Sequence, residues 1–372
     1  MDSPKKRMLN AYRGIASDYI PCAPEFWYYY PAKVLGISMV EFQRDVPHYV
    51  GMIASFKKFG CEGWGIASPI EHSPYVQVSS DLKKISQGKY RDKQTVRCRD
   101  KEFTRSYIFS DNEPFWGEEY AVTDYTDART FFDAHINDDV TFDLKDTITA
   151  HEEVDETFLL EFDLGLSFFD YFEQFMGFEQ ALYYFIDEEE AVLHGMLERY
   201  IAYKTRLAEQ AVMQTPFEAF FIGCSSSCNA LLGPSLWRKW DKVYEKAMTD
   251  VCHSHGRLIH NHNHGKIRDT LYDLKEIGFD CVCPFERPPG DITGQRGIEE
   301  VRKILDEKTT FNGNVHTVKA LIQGTPDIVR QQVKEIKQAY YGSNRLIVGT
   351  GDQVGAETLE ENIWAMIDET RK

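Results

Sequence analysis

Three histidines alternate with asparagines at the end of a short apolar stretch. Leu258 and Ile259 are followed by His260, His262 and His264, and residues two apart in an extended chain point to the same side. A glycine then breaks the pattern, and residues 266–278 resume with helical spacing of apolar side chains. A strand that carries imidazoles at its carboxyl end, followed by a helix, is how a β/α barrel builds an active site.

Other polar residues follow other predicted strands. Glu286 comes after a strand at 279–285, Asn314 and His316 come at the end of 309–315, and Asp352 follows 345–348. His260 lies deeper along its strand than His262, so we expect it to be a hydrogen-bonded core residue or a support for a ligand. Glu286 has two interpretations, a site residue or a salt bridge with Arg287.

Aromatic residues and one further histidine follow the first two predicted strands. Trp27, Tyr28 and Tyr30 could bind the flat or apolar part of a substrate, or they could be ordinary core packing. His72 lies just beyond the second strand and is a further candidate for substrate binding.

The elements that must position these residues are strands and helices in alternation. From residue 168 onward, repeated strand–helix units predict a parallel sheet and a (β/α)8 barrel of the TIM type, preceded by a helix over 4–13. Alternating polar and apolar residues over 75–125 predict β-hairpins. Within 141–162, the segments T-F-D-L-K and T-F-L-L-E-F predict further strand. We therefore expect a single domain over 1–372, with a β-rich insertion or cover over 75–160.

Composition limits the class of protein. The 372 residues are 42% hydrophobic, and the formal net charge of −17 disfavours nucleic acid and anionic membranes as partners. No apolar run approaches the ~18 residues of a membrane span. The first residues, M-D-S-P-K-K-R, are charged without an apolar segment, so we expect no signal peptide. The eight cysteines form no CxxC pair, so we expect reduced thiols in a cytoplasmic protein that could form a homodimer.

The second half of the chain resembles a known family. Residues 160–372 resemble the uroporphyrinogen decarboxylase superfamily in the segments H-N-H-G-K-I, L-K-E-I-G-F-D, F-N-G-N-V-H-T-V-K-A-L-I-Q-G-T-P-D-I-V and L-E-E-N-I-W-A-M. The resemblance is weaker over 1–60. One branch of that superfamily decarboxylates porphyrinogens, and the other uses zinc to transfer methyl groups between corrinoid proteins and small substrates.

Site residues separate the two branches. Porphyrinogen decarboxylases carry R-Q-A-G-R near the N-terminus, where this chain has P-E-F-W-Y-Y-Y-P-A-K, without arginine. The methyltransferase branch carries H-x-C-G and a later cysteine, and here His262 matches its histidine. His264 stands in place of the first cysteine, and Asp352 falls near the second. The resemblance therefore implies a site for zinc, or another divalent metal, at these three residues, with Glu286, Asn314 and His316 as candidate catalytic residues.

Three functions are compatible with these residues. The first is a metal-dependent methyltransferase that moves a methyl group between a small, possibly methoxylated substrate and a separate corrinoid protein, since the chain lacks the corrinoid-binding motif D-x-H-x-x-G. The alternative is a metal-free decarboxylase or lyase acting on a non-porphyrin carboxylic acid, with Glu286 or His316 as proton donor. The third is a binding protein without catalysis.

Overall fold

The computed structural model describes residues 1–228, 230–305 and 307–372. Its strands, in chain order, are β1 Cys22–Ala23, β2 Trp64–Ala67, β3 Ile70–His72, β4 Val76–Ser86, β5 Lys89–Cys98, β6 Lys101–Ser110, β7 Trp116–Glu119, β8 Thr141–Asp143, β9 Leu159–Leu166, β10 Ala219–Cys224, β11 Leu258–Asn263, β12 Cys281–Pro284, β13 Thr310–Val315 and β14 Leu346–Thr350.

Eight of these strands form one parallel sheet. They are hydrogen-bonded in the order β1, β14, β13, β12, β11, β10, β9, β2, which is the sequence order of a barrel wall. The sheet curls on itself, as is shown by the distance of 3.7 Å between Glu25, just after β1, and His262 on β11. The prediction of a TIM-type barrel is confirmed.

The remaining strands all fall between β2 and β9. Strands β4 to β7 form a four-stranded antiparallel sheet, and β3 pairs with β8. The hairpins predicted over 75–125 are confirmed. Strand was also predicted for T-F-D-L-K, which contains β8, and for T-F-L-L-E-F, whose last four residues begin β9. The helix between them, Lys145–Val154, was not predicted. That helix packs beside β2 and β9 as part of the barrel's outer layer.

Helices surround the barrel strands and precede the first of them. They are α1 Pro4–Arg13, α2 Tyr29–Leu35, α3 Met39–Asp45, α4 His48–Phe59, α5 Tyr125–His135, α6 Lys145–Val154, α7 Phe168–Met176, α8 Phe178–Asp187, α9 Glu190–Gln214, α10 Pro234–Lys239, α11 Asp241–Ser254, α12 Leu271–Ile277, α13 Gly294–Leu305, α14 Pro326–Ala339 and α15 Glu360–Arg371. Across the described ranges, no helix is long and apolar enough to cross a membrane.

Two pairs of successive helices are each separated by a residue that ends a helix. Pro47 separates α3 from α4, because proline has no N–H to continue the first helix. Gly177 separates α7 from α8 and has φ 76°, a backbone conformation that other residues rarely adopt.

A close contact between α4 and the entry to β2 gives a test of the packing. A Cβ on Gly63 would lie 1.8 Å from the Phe56 ring, so the ring must move to admit it. We expect Gly63→Ala to lower the free energy of unfolding by about 1–3 kcal/mol through overpacking. The measurement is urea denaturation followed by circular dichroism.

A matched glycine on α9 provides the control. Gly195 has no heavy atom within 4 Å of an added Cβ. Gly195→Ala should therefore raise the free energy of unfolding, by roughly 0.5–1 kcal/mol, because alanine favours the helix. Equal effects of the two substitutions would contradict the packing described for Phe56.

Candidate functional site

Strand β11 carries two histidines into the barrel at different depths. His260 is fully buried, and its Nδ1 lies 2.9 Å from Glu161 Oε2 while its Nε2 lies 3.1 Å from Cys283 Sγ. The same glutamate accepts a hydrogen bond of 2.9 Å from the Tyr12 hydroxyl. His260 is therefore the hydrogen-bonded core residue that the sequence predicts.

His262 lies two residues nearer the carboxyl end of the strand and has different surroundings. Its side chain is 12% exposed, and its Nε2 has no hydrogen-bond partner. The nearest carboxylate oxygen, on Glu25, is 3.7 Å away, which is too long for a hydrogen bond. Burial, with the neighbouring His264 and His260, lowers the pKa of His262 well below its usual value. The imidazole is therefore neutral at pH 7, the form that binds metal ions.

His264 and Glu286 form a close pair at the mouth of the barrel. Nδ1 of His264 lies 2.7 Å from Glu286 Oε1, and this oxygen also accepts a hydrogen bond from the Gly265 amide. Burial opposes a charge on His264, but Glu286 and the carboxylates of Glu25 and Asp352 outweigh it and raise its pKa to about 9. The rings of His262 and His264 lie 4.4 Å apart, centre to centre.

Two carboxyl groups complete this cluster. Burial raises the pKa of Glu25 to about 8, and the nearby Asp352 adds to the rise. Burial also raises the pKa of Asp352, against the opposing effect of His264. The Glu25 amide donates to the Thr350 hydroxyl at 3.0 Å, which ties the end of β1 to the end of β14.

These groups line a cavity of about 550 Å³ at the carboxyl ends of the strands. Glu25, His262, His264 and Asp352 lie on its wall, and Glu286 reaches it through His264. Its aromatic lining consists of Trp27, Tyr28, Tyr171, Tyr200 and Phe221. The cavity can therefore enclose a small molecule with an apolar part beside the histidines.

A second chamber of about 570 Å³ adjoins the first. The antiparallel sheet supplies part of its wall, including Arg105 and Tyr107 on β6. Leu166, Gln174 and Ser225 line both chambers. The sheet inserted after β2 therefore faces the entrance to the candidate site.

Several residues predicted for the site lie elsewhere. Tyr30 is fully buried among Phe26 and Phe59, and its hydroxyl donates to the Thr358 carbonyl at 2.7 Å. His72 is exposed on β3 and is not part of the cavity wall. Tyr30 thus has the packing role left open above, because its ring fills the space between helix and barrel.

Asn314 and His316 hold the loops around the site. Asn314 is fully buried, and its Nδ2 donates to the Phe285 carbonyl at 2.9 Å. Nδ1 of His316 accepts from the Lys319 amide at 3.4 Å and caps the π-helical turn Thr317–Ile322. Neither lines the cavity, so the structure places both as supports of the strand ends.

The salt bridge proposed as an alternative for Glu286 is not formed. Arg287 instead pairs with Glu335 at 3.1 Å and donates to the Asn314 carbonyl at 2.9 Å. That interpretation was wrong because adjacent residues after a strand point in different directions. Glu286 is left to orient His264.

The histidines and carboxylates suit a divalent metal in chemical type. Within the three described ranges, no group of three or more His, Cys, Asp or Glu side chains is already gathered around one point. The unpartnered nitrogen of His262 nevertheless needs an acceptor or a metal, and His264 and Asp352 lie on the same wall. Two imidazoles and a carboxylate are a common zinc donor set. The predicted metal site therefore stays a prediction.

Comparisons with known proteins agree with the barrel. The model of the uroporphyrinogen decarboxylase (URO-D) family matches residues 172–372. A methyltransferase from Methanosarcina mazei superposes with a TM-score of 0.67 at 13% identity, covering 100% of this chain and 98% of the other. No curated protein matches the chain.

A muconate cycloisomerase from Pseudomonas fluorescens also aligns, at 9% identity over 81% of this chain and 78% of its own. Its TM-score of 0.27 is too low to support an argument. The likeness to the Methanosarcina protein shows the shared fold.

Proposed function

Because the chain belongs to the uroporphyrinogen decarboxylase family, we propose that it is a metal-dependent methyltransferase. It would move a methyl group between a small methylated substrate and a separate corrinoid protein. The observation that carries the proposal is the neutral, unpartnered imidazole of His262 beside His264 and Asp352, on the wall of a barrel cavity. The full-length likeness to a methyltransferase fold supports it.

His262, His264 and Asp352 are the residues that would hold the metal. His264, whose pKa is about 9, would have to release its proton on binding. Zinc, when bound there, would act as a Lewis acid on an oxygen of the substrate. Two imidazoles and a carboxylate suit oxygen ligands, whereas thiolate-rich zinc sites are the ones that activate thiols.

The protein's own side chains position the reactants. Glu286 fixes the ring of His264 through the bond to Nδ1, as carboxylates do for histidines that bind metals. Glu25 presents a buried carboxyl to the same space and can hydrogen-bond the substrate. Trp27, Tyr28 and Phe221 would exclude water from the apolar part of the substrate.

Metal content is the first test. Wild-type protein purified without affinity-tag metal should contain stoichiometric zinc or a similar ion by elemental analysis. His264→Ala should lose most of it, because one ligand and the partner of Glu286 disappear together. His253→Ala is the matched control, since that exposed histidine, near the end of α11, pairs with Asp280 just before β12, at the opposite end of the strands from the site. A wild type without metal, even after reconstitution, would contradict the ligand set.

Turnover is the second test. Methoxylated and methylated compounds are incubated with the protein and reduced cobalamin, and methylcobalamin is followed by its absorption spectrum. Product that depends on both the compound and the bound metal is the expected result. Metal-loaded protein that methylates cobalamin from none of a broad panel would argue against the methyltransferase assignment.

One observation favours the alternative, a metal-free decarboxylase of a non-porphyrin acid. The side chain of Lys204 is 7% exposed and lines the cavity, where its ammonium group pairs with Glu71 at 3.0 Å. A buried cation of this kind could bind a substrate carboxylate. Release of carbon dioxide by metal-stripped protein, lost in Lys204→Met, would replace the first proposal with the second.

A further inference from the structure

Strand β4 is an open edge of the antiparallel sheet. The sheet has the order β4, β5, β6, β7, so β4 has a strand neighbour on one side within the described residues. Ten of its eleven residues are exposed, including Val78, Leu82 and Ile85 at 52%, 39% and 44%. A long exposed edge presents unpaired backbone groups that can pair with another chain.

The charged residues of β4 face different neighbours on β5. Asp81 lies opposite Lys93 on β5, which is a favourable pair, whereas Lys83 lies opposite Arg91, which has the same charge. Arg91 is itself paired with Glu118. Lys83 pairs with the exposed Asp81 of its own strand, and a second carboxylate on the open side would offset the like charge of Arg91.

We propose that β4 pairs in antiparallel fashion with β4 of a second copy of this chain. In a symmetric pairing that places Leu82 opposite Leu82 of the second copy, Asp81 falls opposite the other chain's Lys83. The two-fold axis repeats this contact, so each lysine gains a second carboxylate beside the Asp81 of its own strand. Ser80 then lies opposite Lys84, and Ser79 opposite Ile85.

The fully overlapped register is less favourable. Pairing Val76 with Ser86 along the whole strand would place Asp81 opposite itself, and like charges directly opposite destabilise a sheet. A shift to the Leu82-centred register removes this repulsion and keeps residues 78–86 paired. The charges of β4 thus favour the Leu82-centred register over the fully overlapped one when the partner is a copy of the same strand.

The pairing would join the covers of two sites. Because β5 and β6 of the same sheet supply Gln94, Arg105 and Tyr107 to the second chamber, the dimer would contain one continuous eight-stranded sheet over two barrel entrances. The inference does not depend on the proposed activity, so each can fail without the other.

Sedimentation equilibrium over a micromolar concentration series tests the dimer. It is run at physiological salt, where a Debye length of about 8 Å screens the net charge of −17. We expect wild-type protein to dimerise and Leu82→Pro to be monomeric, since proline on an edge strand blocks pairing with another chain. A wild type that is monomeric throughout overturns the proposal and leaves β4 to some other partner.

Charge exchange tests the register. Asp81→Lys and Lys83→Asp should each weaken the dimer about tenfold, because each replaces two attractive contacts by two repulsive ones. The double variant Asp81→Lys/Lys83→Asp should recover wild-type affinity within about threefold. Glu102→Lys, at the far end of the β5–β6 hairpin and 55% exposed, is the control and should change nothing. A double variant as weak as the singles contradicts this register, and a dimer indifferent to all four variants lies on another surface.

Discussion

His262→Ala is expected to lower methyl transfer at least about 100-fold while leaving the stability of the barrel nearly unchanged. Loss of a residue that merely orients a metal ligand typically costs about 10–100-fold, so loss of the ligand itself should cost more. Stability should persist because Nε2 of His262 has no partner to lose. The measurements are kcat/KM for methylcobalamin formation and the midpoint of urea unfolding.

The control for this prediction is His72→Ala. His72 is exposed on β3 and lies outside the cavity wall, so its removal should leave both kcat/KM and the unfolding midpoint at wild-type values. If His262→Ala retained wild-type turnover, the imidazole would have no part in the reaction. If it instead unfolded the protein, its role would be structural and the proposed site would lose its central residue.

Glu161→Ala is expected to have the opposite pattern, a large loss of stability. Its carboxylate is fully buried and accepts from Tyr12 Oη at 2.9 Å, and it lies 2.9 Å from His260 Nδ1. Alanine leaves both of those polar groups buried without partners, and each such group costs about 1–3 kcal/mol. We therefore expect the free energy of unfolding to fall by about 2–6 kcal/mol.

Calorimetry and urea denaturation measure this loss. Glu152→Ala, on an exposed face of α6, is the control and should stay within about ±0.5 kcal/mol of wild type. The double variant Glu161→Leu/His260→Leu should recover part of the loss, because apolar groups then replace both members of the pair. A Glu161→Ala protein as stable as wild type would mean that Tyr12 and His260 find other partners.

The barrel could be predicted because its signals are local and repeat. Neighbouring residues alone indicate the apolar run before His260, the glycine after His264 and the helical spacing that follows. The same locality explains why His260 and His262 were told apart, since their depth along one strand follows from their order. The hairpin strands β4 to β7 could also be predicted, from the alternation of polar and apolar residues within each strand.

Glu25 was not predicted because it reaches the site across the barrel. It follows β1, a strand of two residues that leaves almost no pattern, and its approach to His262 brings together residues far apart in the chain. A carboxyl residue directly after the first predicted strand was the available signal. Tyr30 was predicted to bind substrate but packs in the core. Its place in an aromatic run does not indicate which side of α2 its ring occupies.

The helix at Lys145–Val154 was missed because three of its first five residues are β-branched. Thr147, Ile148 and Thr149 favour strands by propensity, yet the contacts of α6 with the barrel decide the outcome. Tertiary packing here overrides a weak local preference.

The short pairing of β3 with β8 brings the two ends of the inserted segment together. Ile70 lies opposite Asp143 and His72 opposite Thr141, so the chain leaves and rejoins the barrel through one two-stranded stem. Strands β4 to β7 and α5 lie between those two ends. The inserted segment therefore leaves the order of the barrel strands unchanged, because the chain departs after β2 and returns beside the same point before β9.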